Sequence, residues 1–154
     1  MNHNKALIRP DENKAMFDNI SGRYDFLNKV LSFGSDRSWR RQAVDSLKVK
    51  DGGLYIDAGC GTADLAIEVA HRFKNNPGQV MGIDYSENML QVGREKVEVA
   101  KLGKIISLSP GDALKLPQAD AGVDGLVSGF VIRNIDDRLG ALKEWFRVLK
   151  PGGH

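Results

Sequence analysis

The sequence predicts an α/β domain, a mostly parallel sheet with helices on both faces, and three observations carry that prediction. Short apolar runs alternate with helix-period segments of ten or more residues, the pattern of strand–helix–strand crossovers. One apolar run, Leu54-Tyr55-Ile56-Asp57, leads through Ala58 into Gly59 and Gly61 and then into a helical pattern. That is a strand, a tight turn and a helix start, where a backbone can approach a ligand closely. Polar residues also recur just past the strand ends, at Asp57, Asp84, Asp112 and Asn134. Ligands on parallel sheets bind beyond those ends, so the four point to one site.

The elements follow in order. Helical patterns are expected over Glu12–Leu31 and Asp36–Leu47, the second capped by Asp36. The first strand covers Gly53–Asp57 and its helix Thr62–Phe73. Asn75-Asn76-Pro77-Gly78 is turn chemistry and leads into a strand over Gln79–Asp84. A helix over Ser86–Ala100 precedes a third strand, Lys104–Leu108, and a loop, Ser109–Pro117. The fourth strand is expected over Val123–Phe130 and the last helix over Asp136–Leu149. Residues 1–50 form a helical unit and residues 51–154 the sheet-bearing core.

At 154 residues the chain is one domain's worth with room for a core. A net charge of +2 is too small to argue for nucleic acid. The N-terminal fifty residues are nonetheless basic, with ten Lys/Arg against six Asp/Glu. Cys60 is the one cysteine, so an intrachain disulfide is excluded, as a reducing compartment would have it. The chain has no apolar run long enough to span a bilayer and no signal-peptide core at its N-terminus, so a cytoplasmic location is expected. His3, His71 and His154 are scattered without metal-ligand spacing, and no nucleophile–base pair is visible.

The chemistry starts at the glycine turn. In a dinucleotide fingerprint a third glycine would fall on Asp64, and a carboxylate there opposes a pyrophosphate. It suits instead a ligand with amino or sulfonium charge, favouring S-adenosylmethionine over a nicotinamide dinucleotide. Gly59, Gly61 and Thr62 would present backbone N–H groups to that ligand, although an ordinary strand–helix turn has the same look. Asp84 can accept both ribose hydroxyls or, with Ser86, cap the following helix. Gly111-Asp112-Ala113 offers a carboxylate and a backbone N–H to an adenine, and is equally ordinary loop chemistry. Arg133-Asn134 can hold an oxyanion or a water, or be solvated loop residues. Tyr24 can reach over the site or pack in the core, while Trp39 and Phe33 are assigned to packing. Arg37, Arg40 and Arg41 beside Trp39 could meet anionic headgroups, but a solvated helix face is the simpler expectation.

Taken together these segments resemble the UbiE-type C-methyltransferases of menaquinone and ubiquinone biosynthesis, class I enzymes with a Rossmann-like fold. The resemblance runs from Met16-Phe17-Asp18 and Arg23-Tyr24-Asp25 through Ser32-Phe33-Gly34, Trp39-Arg40-Arg41 and the Asp57–Asp64 turn. It continues through Asp84-Tyr85-Ser86-Glu87-Asn88-Met89-Leu90, Gly111-Asp112-Ala113-Leu114, Arg133-Asn134 and Arg147-Val148-Leu149-Lys150-Pro151-Gly152-Gly153. It implies methyl transfer from S-adenosylmethionine to a ring carbon of a prenylated quinol, either a demethylmenaquinol or a ubiquinone precursor. It places cofactor contacts on Thr62, Asp84, Asp112 and Ala113, and with the residues around them the expected cofactor-binding set is Asp57, Gly59, Gly61, Thr62, Asp84, Tyr85, Met89, Asp112, Ala113, Ser128 and Gly129. The chemical step falls to Arg133, Asn134 and Tyr24, with the N-terminal helical unit on the substrate side. The family's serine before Arg-Asn aligns with Gly129, its Gly-Thr-Gly-Asp is here Gly61-Thr62-Ala63-Asp64, and a glycine near Val131 is replaced. A hydrophobic acceptor also implies an approach to the membrane surface.

Family members continue through further strands after the Pro-Gly-Gly turn. The sheet is therefore expected to be incomplete, with its fourth strand an exposed edge that a second copy or a partner chain would cover. A non-catalytic cofactor-binding half working with a partner is the alternative reading.

Overall fold

The structure, a computed structural model, describes residues 36–154. The predicted helix over Glu12–Leu31, and with it Tyr24 and Phe33, lies outside the described residues. The described chain runs α1 (Asp36–Ser46), β1 (Leu54–Ala58), α2 (Asp64–Ala70), β2 (Gln79–Asp84), α3 (Glu87–Val99), β3 (Ile106–Pro110), β4 (Gly125–Val127), a 3₁₀ turn (Ile132–Asn134) and α4 (Arg138–Val148). The four strands pair in the order β3-β2-β1-β4, all parallel. The chain steps outward from β1 to β3, then returns to the other side of β1. The topological switch point therefore lies between the loops leaving β1 and β4.

Alternation along β1 sorts the core. Tyr55 faces one side with Val80, Ile106 and Val127, beneath Val44 of α1 and Leu47 just after it, Ala66, Val69 and Ala70 of α2 and Val97 of α3. Ile56 and Ala58 face the other side with Ile83, beneath Ala141, Trp145 and Val148 of α4. The period of two along a strand makes one sheet bury two layers. The described end of the N-terminal unit, α1, thus shares its core with the sheet.

The boundaries differ from expectation in instructive places. β3 begins two residues later than predicted because Ile105 and Ile106 donate back to Leu102 O, closing a turn behind Lys101 at φ +58°. α2 loses its first turn to the ligand-side loop, since Ala63 is left-handed at φ +67°. α3 keeps its predicted frame: Ser86 caps it by accepting from Met89 N at 3.2 Å. β4 ends at Val127 rather than Phe130, because Phe130 at φ +61° turns the chain out of the sheet. The last helix starts after Asp137, whose carboxylate accepts from Gly140 N at 2.8 Å.

The outer side of β4 also differs from expectation. Lys150 N donates to Val123 O, His154 N to Asp124 O, and Leu126 N to His154 O at 2.8 Å. Leu149 and Lys150 before the Pro-Gly-Gly turn and His154 after it therefore pair with Val123–Leu126 and cover part of the outer edge of β4.

Candidate functional site at the carboxyl ends of the strands

The turn after β1 is held open by backbone conformation. Gly59 and Gly61 lie at φ +72° and +52°, a region costly for residues with a Cβ. A Cβ at Gly59 would also overlap the Val131 methyl groups, so this turn and the segment after β4 are in direct contact. Gly59 N and Cys60 N both donate to Ile83 O, at 2.7 and 3.0 Å, fixing the turn to the end of β2.

Asp84 ties the same turn to α3. One carboxylate oxygen accepts from Gly61 N at 2.7 Å and the other from Ser86 N at 2.9 Å. The capping share of Asp84 is thus seen at Ser86 N, on the same carboxylate that fixes the glycine turn. Asp57 is buried, and its Oδ2 accepts from Ala66 N at 2.9 Å. Its Oδ1 is buried with no hydrogen-bond partner. Burial above all, with the nearby Asp84 and Asp64 charges, raises its pKa to about 7 against the pull of Ala66 N–H and Arg40.

The loop after β3 is anchored by α4 rather than by a helix of its own. Trp145 Nε1 donates to Ala113 O at 2.8 Å, and Leu116 N donates to Glu144 Oε1 at 2.7 Å. Arg147 clamps the far end through Gln118 O and Asp120 at 2.7 Å each. Within the loop Asp112 Oδ1 accepts from Leu114 N at 2.7 Å. Burial and a hydrogen bond to Asp112 push the Tyr85 phenol up, so it stays a donor.

After β4, Ser128 donates its hydroxyl to Ala58 O at 2.7 Å. Phe130 is strained at φ +61° and 43% exposed, with the Arg133 guanidinium 5.5 Å from its ring centroid. Asn134 Nδ2 donates to Phe130 O at 3.2 Å.

Two cavities open on this ground. The larger, about 270 Å³, is lined by Gly59, Gly61, Asp84, Tyr85, Met89, Asp112, Ala113, Gly129, Phe130, Val131 and Asn134 among others, and its surface is mostly apolar. The smaller, about 200 Å³, lies between α1 and the glycine turn and is lined by Trp39, Arg40, Asp57, Thr62, Asp64, Leu65 and Ser128 among others. Gly59, Gly61, Gly129 and Phe130 border both. Each of the eleven residues expected to touch a cofactor thus lines one cavity or the other. Asn134 lines the larger; Arg133 is exposed and lines neither.

Three expectations need correction. Asp64 is not a bare charge facing a ligand: Lys96 and Arg40, the latter at 2.9 Å, neutralise it. Trp39 is 53% exposed at the mouth of the smaller cavity, not packed in the core. Arg40 is 18% exposed and turned inward, off the solvated helix face on which Arg41 stays, 66% exposed. Sequence reasoning missed Phe130 and Arg40 as site residues. An aromatic directly after Gly129 was the available signal for the first; the inward turn of Arg40 has none, since helical phase alone leaves it beside Arg41.

Comparison with known proteins agrees with this geometry. The model of the ubiE/COQ5 methyltransferase family matches residues 6–154. A ubiquinone/menaquinone biosynthesis C-methyltransferase UbiE from Geotalea daltonii is 45% identical over 97% of this chain and 63% of its own length. A demethylmenaquinone methyltransferase from Staphylococcus saprophyticus is 42% identical over 99% of this chain and likewise 63% of its own. The chain therefore spans less than two thirds of the length of these relatives. The crystal structure of a SAM-dependent methyltransferase from Aquifex aeolicus superposes with a TM-score of 0.64 at 26% identity, covering 73% of this chain and 58% of that one. With a family match over nearly its whole length, the chain belongs to the ubiE/COQ5 methyltransferase family.

Proposed function

We propose that this chain carries the cofactor half of an S-adenosylmethionine-dependent C-methyltransferase acting on a prenylated quinol. The observation that carries the reading is the convergence of the glycine turn, Asp84 and the Asp112-Ala113 loop on one mostly apolar cavity at the switch point. Those residues fit an adenosine: Asp84 faces the ribose hydroxyls, Asp112 and Ala113 the adenine edge, and Met89 packs beneath its ring. The unpartnered Asp57 Oδ1 fits an ammonium group, which a nucleotide phosphate would not offer.

S-adenosylmethionine supplies an electrophilic methyl group. The chain's own task is to align an acceptor ring carbon with it and to exclude water. Phe130, bordering both cavities, presents an aromatic face at the entrance. In this reading the Arg133 guanidinium stabilises the quinol oxygen as it loses its proton and orients the water that takes it, with Asn134 holding the loop through Phe130 O. Tyr24 is assigned beside them from the sequence resemblance. Bound there, the cofactor would give its methyl to the ring carbon and leave as a neutral thioether, and the ring proton would pass to water.

A quinol with a prenyl tail also calls for work at a cytoplasmic membrane surface, where the exposed Trp39 ring would sit at the interface. Among the described residues no helix is long and apolar enough to cross a membrane. The test pairs calorimetric titration of S-adenosylhomocysteine with transfer of labelled methyl to a demethylated prenyl naphthoquinol. Arg133→Ala is expected to lower turnover about a hundredfold, roughly 2.7 kcal/mol of barrier, while leaving cofactor affinity within about threefold. Equal loss of both, or of neither, removes Arg133 from the chemical step.

A further inference from the structure

Arg133 is exposed and lines neither cavity, yet the proposed chemical step needs its charge beside the acceptor. What links it to the site is the Phe130 ring, which borders both cavities and has the guanidinium 5.5 Å from its centroid.

The backbone under that ring is held in an unfavourable shape. Phe130 lies at φ +61°, a left-handed conformation that a bulky side chain rarely adopts. Burial of the ring does not account for it, since Phe130 is exposed. Both chain neighbours are pinned instead. A Cβ on Gly129 would stand 2.8 Å from Leu65 Cδ1, and the Val131 methyl groups lie against Gly59. Asn134 Nδ2 closes the loop on Phe130 O at 3.2 Å, and Arg138 Nη2 reaches Arg133 O at 3.5 Å. With its flanks fixed in this way, the chain turns the ring outward, where it meets both the cavities and Arg133.

An aromatic face suits this task better than a carboxylate. An ion pair would fix a guanidinium but would occupy its donors and cancel its charge. The ring quadrupole attracts the cation and leaves its N–H groups to an oxygen anion.

We propose that Phe130 is a positioning residue that holds the Arg133 guanidinium at the cavity edge with its charge available to the acceptor oxygen. This rests on the reading of Arg133 as the group that stabilises the quinol oxygen.

The test reads first the contact and then its use. In carbon–proton NMR of the whole chain, the ring current should shift the Arg133 Cδ protons upfield, and Phe130→Leu should remove the shift. Its absence from the unaltered chain would overturn the proposal. Methyl transfer to the demethylated prenyl naphthoquinol gives the second readout. Phe130→Leu should lower kcat about tenfold, with acceptor KM and S-adenosylhomocysteine affinity each within about threefold. Phe130→Tyr, which keeps a ring, should recover most of that loss relative to Phe130→Leu. Added to Arg133→Ala, Phe130→Leu should cost less than about twofold more, because the group it positions is gone. A raised KM with kcat unchanged would make Phe130 an acceptor contact, and additive losses an independent contributor; either overturns the proposal. Melting curves identify a variant that does not fold, in which case Phe130→Tyr and the NMR shift decide. If Arg133→Ala keeps full turnover, or the unaltered chain transfers no methyl, the underlying reading fails and takes the proposal with it. Lost coupling while Arg133→Ala remains damaging overturns the proposal alone.

Discussion

The two cavities are built on opposite principles although they share a wall. The larger is organised by backbone: Asp84 is already satisfied by two N–H groups, and the Ala113 carbonyl is held by Trp145. The smaller holds a buried acceptor without a hydrogen-bond partner, Asp57 Oδ1. A preorganised apolar pocket gives shape and affinity at little reorganisation. A buried, incompletely satisfied charge lowers the stability of the empty protein and is relieved when a complementary ligand arrives. On the proposed reading the first holds the adenosine and the second the charged end of the same molecule.

The comparison is broken most severely at the shared wall. Gly59→Ala introduces a Cβ at φ +72° into the Val131 methyl groups. It should destabilise the chain by about 3 kcal/mol or more in denaturant melts. Val131→Gly combined with it should recover a part, because the clash goes and the backbone strain stays. No loss in the single variant would mean that the wall is soft.

Asp84→Ala strikes chiefly the larger cavity, which Asp84 lines. It removes the acceptor for Gly61 N and Ser86 N together with the proposed ribose contacts. S-adenosylhomocysteine affinity should fall about a hundredfold, roughly 2.7 kcal/mol, by calorimetry. An unchanged affinity would empty this cavity of its proposed ligand.

pH separates the two cavities. Asp57 has its pKa raised from 3.8 to about 7, so between those values the native state holds a proton that the unfolded chain has released. The stabilisation from that proton is complete below about pH 4 and is lost as pH rises through about 7. Asp57→Asn should therefore raise the melting temperature at pH 8. Ionised Asp57 is the form that accepts from an ammonium, so S-adenosylhomocysteine binding should tighten about tenfold from pH 6 to pH 8. That dependence should vanish in Asp57→Asn, while methylthioadenosine, which lacks the amino-acid end, should be flat in both. A shared slope for the two probes would place the titration elsewhere.

The smallest effect is expected at Ala63. Its left-handed conformation costs roughly 1–2 kcal/mol, but its methyl is buried and glycine adds chain entropy, each worth roughly 0.5–1 kcal/mol. Ala63→Gly should change stability by no more than about 0.5 kcal/mol, a near cancellation that a melt resolves.

What the sequence alone determined is what local chemistry encodes. Two-residue alternation placed Tyr55 and Ile56 on opposite faces, Ser86 marked the start of α3, and Gly59 and Gly61 announced a turn that residues with a Cβ could not follow. Family membership was legible too, because the motifs stand at fixed spacing along most of the chain. What only the tertiary structure decided involves groups far apart in sequence. β4 stops at Val127 because Phe130 is turned out and Ser128 is held by Ala58 O, seventy residues away. Asp64 lost its assigned role because Arg40 and Lys96 converge on it from two other helices. Trp39 and Arg40 are adjacent on one helix, yet docking leaves the ring exposed and turns the guanidinium inward. Periodicity and capping act within a few residues, so a sequence exposes them. The partner of a charge is chosen by packing across the fold, and there the three-dimensional arrangement decides.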